Sequence, residues 1–156
     1  MPHLLLAIDD SPASRRVVAY AADLAPQLRE CRVRLVAVIP NLPGDSRQLE
    51  ALLGRCEEPQ LHGDVDQHQE LATALGLLKD FSDQLVAAGL PAAAVTGKIL
   101  PERLGVAQDL HDEALEQCCD TIVVGRRDAA LRHLLFGSVS AKLVKKARAL
   151  NIWVVG

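Results

Sequence analysis

Apolar runs and the spacing of polar residues divide this chain into alternating strands and helices. Positions 3–9, HLLLAID, form a short apolar run ending in the turn residues DSPAS, which predicts a buried central strand. A helix follows. Ser11 is placed to cap it and Pro12 occupies the first helical position, where no N–H is needed. Val17, Val18, Ala21, Ala22, Leu24, Ala25 and Leu28 then recur at helical spacing to about Glu30. Positions 33–39 make a second strand, closed by Pro40, which cannot donate to a sheet ladder. A strand, helix and strand in succession form a right-handed unit with parallel strands.

Positions 41–69 lose this regularity, with Pro43, Gly44, Gly54, Pro59 and Gly63 breaking an acidic stretch in which only 46–53 suggest a short helix. From Glu70, the positions Leu71, Ala74, Leu75, Leu78, Phe81, Leu85 and Val86 mark a long helix that stops at Gly89-Leu90-Pro91. Positions 92–99 read as an edge strand. Pro101 is expected to open a helix with Leu104, Ala107, Leu110, Ala114 and Leu115 on its apolar face. The β-branched run 121–124 is a buried strand ended by Gly125; Val139, Leu143, Val144 and Ala147 mark a helix, and 151–155, NIWVV, a last strand. Five strands alternating with helices predict a doubly wound α/β fold, a parallel sheet covered on both faces. Such sheets bind ligands beyond the carboxyl ends of their strands, where the strand order reverses. The first and fourth strands usually flank that point, and here they end in Asp9-Asp10-Ser11 and Gly125-Arg126-Arg127.

The 156 residues fit a single domain, 1–156, with a mobile acidic loop at about 41–69. Apolar residues at 49% and charged residues at 24% describe a globular chain, and no apolar run reaches the length of a membrane span. The start lacks a basic leader, so the expected location is cytoplasmic, with no membrane partner. Four cysteines, two isolated and two adjacent (Cys118-Cys119), fit neither a disulfide framework nor a zinc pattern and are expected to be reduced and mostly buried. A net charge of −3 gives no general attraction to nucleic acid. Its distribution is uneven: Arg126, Arg127, Arg132, Lys142, Lys145, Lys146 and Arg148 face only Asp128 in the span 126–148. The last four complement a helix dipole, whereas the three arginines fall between a strand end and a helix start.

That start is the candidate anion site. Gly137 lets a phosphate approach the backbone, Ser138 is placed as N-cap, and the N–H groups of the first helical turn are unpaired. Two readings stay open: an anion cradle, or a glycine that ends a strand and a Gly-Ser pair that caps a helix. No GxxxxGK[ST] loop or G-x-S-x-G elbow occurs, and no catalytic residue is assigned. His62 and His68, beside Asp64 and Asp66, read as solvated loop residues before metal ligands; no metal site is expected. His111 reads as a surface residue, and His133 falls within the glycine loop.

The pieces LLLAIDDSPASRRVVAYAADLA, VRLVAVIP, DTIVVG and FGSVSAKLV together resemble a universal stress protein domain nearly end to end. The resemblance implies a five-stranded parallel sheet of order 3-2-1-4-5, in the three-layer sandwich of the adenine nucleotide alpha hydrolase-like fold. It implies binding of AMP or ATP, the latter with magnesium, in a stress response, with slow ATP hydrolysis at most. Asp9 would take the adenosine side and Val38 would offer its backbone to adenine. Asp10 and Ser11 complete the first turn; Gly125, Arg126 and Arg127 form the phosphate loop; Gly137, Ser138, Val139 and Ser140 form the phosphate cradle. It also implies a homodimer through the last strand, Ile152 to Val155. This chain departs from nucleotide-binding members in three places. Asp10 replaces the first-turn glycine, Asp128 stands at the second loop glycine, and eight residues rather than nine separate Asp128 from Gly137. A carboxylate about 5 Å from a phosphate, at an effective dielectric near 20, costs roughly 3 kcal/mol, so AMP and ADP are expected to compete well with ATP. The alternative function is a dimeric protein-interaction module of the same family that binds no nucleotide.

Overall fold

Leu4, Leu5 and Leu6 are each at most 1% exposed, because β1 (His3–Ile8) runs through the centre of the sheet with apolar cover on both faces. The computed structural model describes residues 1–27, 30–40, 42, 65–126 and 139–156, the side chains of 65–68 excepted. After β1 come α1 (Pro12–Leu24), β2 (Arg32–Ile39), α2 (Val65–Ala87), β3 (Val95–Pro101), α3 (Val106–Glu116), β4 (Thr121–Gly125), α4 (Val139–Lys146) and β5 (Asn151–Val155). The strands pair in the order β3-β2-β1-β4-β5, every pair parallel, as the resemblance implied.

The two-residue alternation of β1 sorts the core into two layers. Leu4, Leu6 and Ile8 pack with Val17 and Val18 of α1 and with Leu71, Phe81 and Leu85 of α2. Leu5 packs on the opposite face with Ala107, Leu110 and Ala114 of α3 and Leu143 of α4. Tyr20 of α1 meets Trp153 of β5 edge-on, with ring centroids 6.4 Å apart, so the outer strand is also covered on that face. Among the described residues no helix is long and apolar enough to cross a membrane.

Several boundaries differ from the sequence reading. Helix α1 stops at Leu24, short of Glu30, because Pro26 has no N–H and its ring crowds the preceding turn. Helix α2 begins at Val65, earlier than Glu70, so its first turn takes up residues assigned to the irregular stretch. Pro101 is the last residue of β3 and does not open a helix: β3 is an edge strand, where a proline is tolerated, and α3 starts after Gly105, whose φ of 103° suits glycine. Leu104 is consequently 75% exposed rather than part of the α3 stripe. On α4, Leu143 is buried but Val144 is exposed. The side chain of His111 is mostly covered rather than on the surface, with Nδ1 at 3.3 Å from Asp112 Oδ1. The short helix expected at 46–53, and with it His62, His133 and Cys56, lies outside the described residues.

Among the described residues one charged cluster enters the core. Glu113 on α3 is 4% exposed, and its Oε1 accepts from Arg34 Nε of β2 at 2.7 Å, with Nη2 at 2.6 Å; Lys98 Nζ of β3 stands 3.5 Å from Oε2. The carboxylate thus ties α3 to two strands. Removing one partner of a buried pair strands the other charge in a poor solvent. Glu113→Ala is expected to lower the unfolding free energy by about 3–5 kcal/mol. Lys98→Met, whose cation is far more exposed, should cost less than about 1 kcal/mol. Urea denaturation of the two variants beside the parent measures both.

Cys31 and Cys119 are buried, whereas Cys118 is exposed in the left-handed region, φ 53°, where the chain turns from α3 into β4. Burial pushes the Cys119 thiol up to about 11, with Arg34 pulling the other way, and burial raises Cys31 as well. A thiol raised above its ordinary value contributes stability that is complete below pH 9 and is lost as pH climbs through 11. Unfolding free energy followed across that window should fall, and Cys119→Ala should flatten the decline.

Candidate functional site

The first turn of α1 builds the site. Ser11, extended at φ −138°, caps the helix and accepts from the Ser14 N–H at 3.3 Å. Ser14 is 4% exposed and turns its hydroxyl back toward Asp9. The Asp9 N–H donates to Ser14 Oγ at 2.8 Å, and Ser14 Oγ donates to Asp9 Oδ1 at 2.7 Å. Ser11 Oγ donates to the same carboxylate oxygen. Two hydroxyls therefore aim Asp9 as it leaves the strand. Ser14 was not singled out from the sequence; the signal was the D-x-S-x-x-S spacing of Asp9, Ser11 and Ser14.

Asp9 opens onto a cleft of about 560 Å³ at the carboxyl ends of β1 and β2, closed on its far side by α2. Ile8, Asp10, Val38 and Pro40 line it from the strand ends, and Gln69, Glu70 and Thr73 from the helix. The Val38 side chain packs into the α3–α4 layer, which leaves its main chain to line the cleft. Asp10 pairs with Arg15 at 3.2 Å, both side chains being more than half exposed. The α2 wall could not be read from the sequence, because Glu70 and Thr73 reach the cleft only through tertiary packing of a helix whose start was misplaced.

The carboxyl end of β4 lies on the other side of β1. Gly125 sits under α1: a Cβ there would stand 2.6 Å from Ala13 Cβ and 2.7 Å from Ala13 O. The close approach of α1 is itself sufficient reason for glycine here. Arg16 Nη2 donates to the Arg126 carbonyl at 2.7 Å, and the Arg126 N–H donates to the Val155 carbonyl at 2.7 Å. Val139 and Ser140 begin α4, half-buried. The cleft thus gathers Asp9, Asp10 and Val38, with Ser11 behind Asp9; Gly125, Arg126, Val139 and Ser140 do not line it. Arg127, Asp128, Gly137 and Ser138 lie outside the described residues. Among the described residues no group of three or more His, Cys, Asp or Glu is placed to hold a metal ion.

Three solved structures share this architecture over nearly the whole chain. A universal stress protein from Archaeoglobus fulgidus in complex with dAMP is 22% identical, with a TM-score of 0.65, covering 100% of this chain and 98% of its own. A universal stress protein in complex with cAMP is 17% identical, TM-score 0.68, covering 99% and 97%. A family protein from Arabidopsis thaliana with AMP bound is 14% identical, TM-score 0.65, covering 99% and 91%. At these identities the likeness carries the fold alone. No curated protein matches the chain significantly. The sequence model of the universal stress protein family, however, matches residues 1–155. With that match spanning all five strands and both covering layers, the chain belongs to the universal stress protein family.

Proposed function

We propose that this protein binds an adenine nucleotide, with the nucleoside in the cleft beside Asp9 and the phosphates toward the end of β4 and the start of α4, as a ligand-responsive component of a stress response. The observation that carries the reading is the Asp9 carboxylate, fixed by the Ser11 and Ser14 hydroxyls at the mouth of a cleft large enough for a nucleoside. A preoriented carboxylate suits the hydroxyl and amine donors of ribose and adenine, since it accepts and cannot donate. The Val38 main chain lines the adenine side. Arg126, with Gly125, Val139 and Ser140, stands on the phosphate side, which Arg127, Gly137 and Ser138 complete in sequence. Solved family members in complex with dAMP, cAMP and AMP support the ligand class. Magnesium would offset Asp128 for ATP.

Calorimetry with AMP, ADP and ATP, with and without magnesium, tests the reading. Asp9→Ala removes charge-assisted hydrogen bonds and should weaken AMP by about ten- to a hundredfold. Ser14→Ala, which leaves Asp9 charged and still bonded to Ser11 but less firmly aimed, should cause a smaller loss. No heat from any nucleotide at millimolar concentration would favour the interaction-module reading instead.

We also propose a homodimer through β5. It is an outer strand, Val154 on it is exposed, and an unpaired strand edge invites pairing by a second copy, which a two-fold axis closes. Sedimentation should report a dimer that Val154→Lys weakens; a monomer, or a dimer indifferent to the lysine, would exclude this arrangement.

A further inference from the structure

Arg126, the first residue past β4, is pinned from two directions. Its N–H donates to the Val155 carbonyl at 2.7 Å, which fixes the peptide that enters it, and its own carbonyl accepts from Arg16 Nη2 at 2.7 Å, which fixes the peptide that leaves it. A residue has only two soft torsions, and these bonds hold both. The second joins positions 110 apart in sequence, and its donor is ionised, which makes it a short and strong bond. Arg16 reaches that carbonyl because α1 lies so close to β4: Ala13, one turn earlier, stands where a Gly125 side chain would be.

Packing does not call for an arginine at this place. Val17, Val18 and Ala21 already bury α1 against the sheet, and Arg16 stands beside that stripe, only partly covered. What it adds is the direction in which the chain leaves β4. Resting on the nucleotide reading above, which puts the phosphates at that departure, we propose that Arg16 is a positioning residue for phosphate: it acts through the Arg126 main chain and sets the preference for a nucleotide over the bare nucleoside. Asp9, held by Ser11 and Ser14 at the end of β1, serves the nucleoside. The two halves of the ligand thus answer to different residues of α1 and its cap.

Calorimetry of adenosine and AMP on the parent, Arg16→Met and Arg16→Lys tests this, with thermal unfolding run beside it. Arg16→Met keeps an unbranched side chain without a donor; it should weaken AMP by about tenfold and leave adenosine within about twofold of the parent. Arg16→Lys, which keeps a donor for the Arg126 carbonyl but not the fork, should recover part of the loss. The loss should persist at high salt, because a misdirected main chain is not screened as a distant charge is. Should Arg16→Met fail to fold, Arg16→Lys decides alone: its AMP-to-adenosine affinity ratio must fall below that of the parent. An unchanged ratio, equal losses for both ligands, or a loss that salt abolishes overturns the positioning role and leaves the nucleotide reading standing. Failure of the parent to bind either ligand overturns the nucleotide reading, and the positioning role with it.

Discussion

The close approach of α1 to the end of β4 is the constraint on which the site depends. Ala13 rests where a Gly125 side chain would be, and that distance lets one helical turn serve two strands. On one side Ser11 and Ser14 hold Asp9 at the exit of β1; on the other Arg16 holds the Arg126 carbonyl at the exit of β4. A larger residue at 125 would lift the turn and disturb both at once. The glycine that looked like a concession to phosphate is explained by helix packing, and the two demands are compatible because both need a bare backbone.

Opposite ends of the sheet are held by different chemistry. At the amino ends Asp120 acts as a tie: its carboxylate accepts from the His3 N–H at 2.9 Å and from Thr121 Oγ1 at 2.7 Å, while its carbonyl accepts from the Asn151 N–H. The buried Glu113, held by Arg34 and by the more exposed Lys98, adds an ionic clamp between α3 and strands β2 and β3. At the carboxyl end of β1 the carboxylates of Asp9 and Asp10 face a cleft. Rigidity on one side and open polar groups on the other is the arrangement a parallel sheet offers a ligand.

The strands were legible because each is a short apolar run bounded by breakers, and the two-face burial of β1 is written in three consecutive leucines, Leu4 to Leu6. Asp9 was legible as the residue leaving a central strand. Ser14 was not, since its hydrogen bonds cross five residues and apolar periodicity says nothing about where a hydroxyl turns. Pro26 and Pro101 were misjudged for one reason: a proline's effect depends on whether it meets a helix interior, a first turn or a sheet edge, and only tertiary placement decides that. Leu104 and Val144 matched a helical stripe by spacing alone, but loop geometry and the position of α4 left them in solvent.

The bond from the His3 amide to Asp120 spans 117 positions of sequence, which bears on how the molecule is made. β1 is the middle of the sheet, yet one of its edges has no strand to meet until β4 has been synthesised. At about 5–20 residues per second that interval is on the order of ten seconds. For most of it β1 is paired only with β2, with α1 and then α2 available to shelter one face, while Leu5 on the other waits for α3. The nascent chain is therefore an asymmetric half-sheet, covered first on the Leu4 and Leu6 side and open on the side of Leu5 and Val36 until α3 follows.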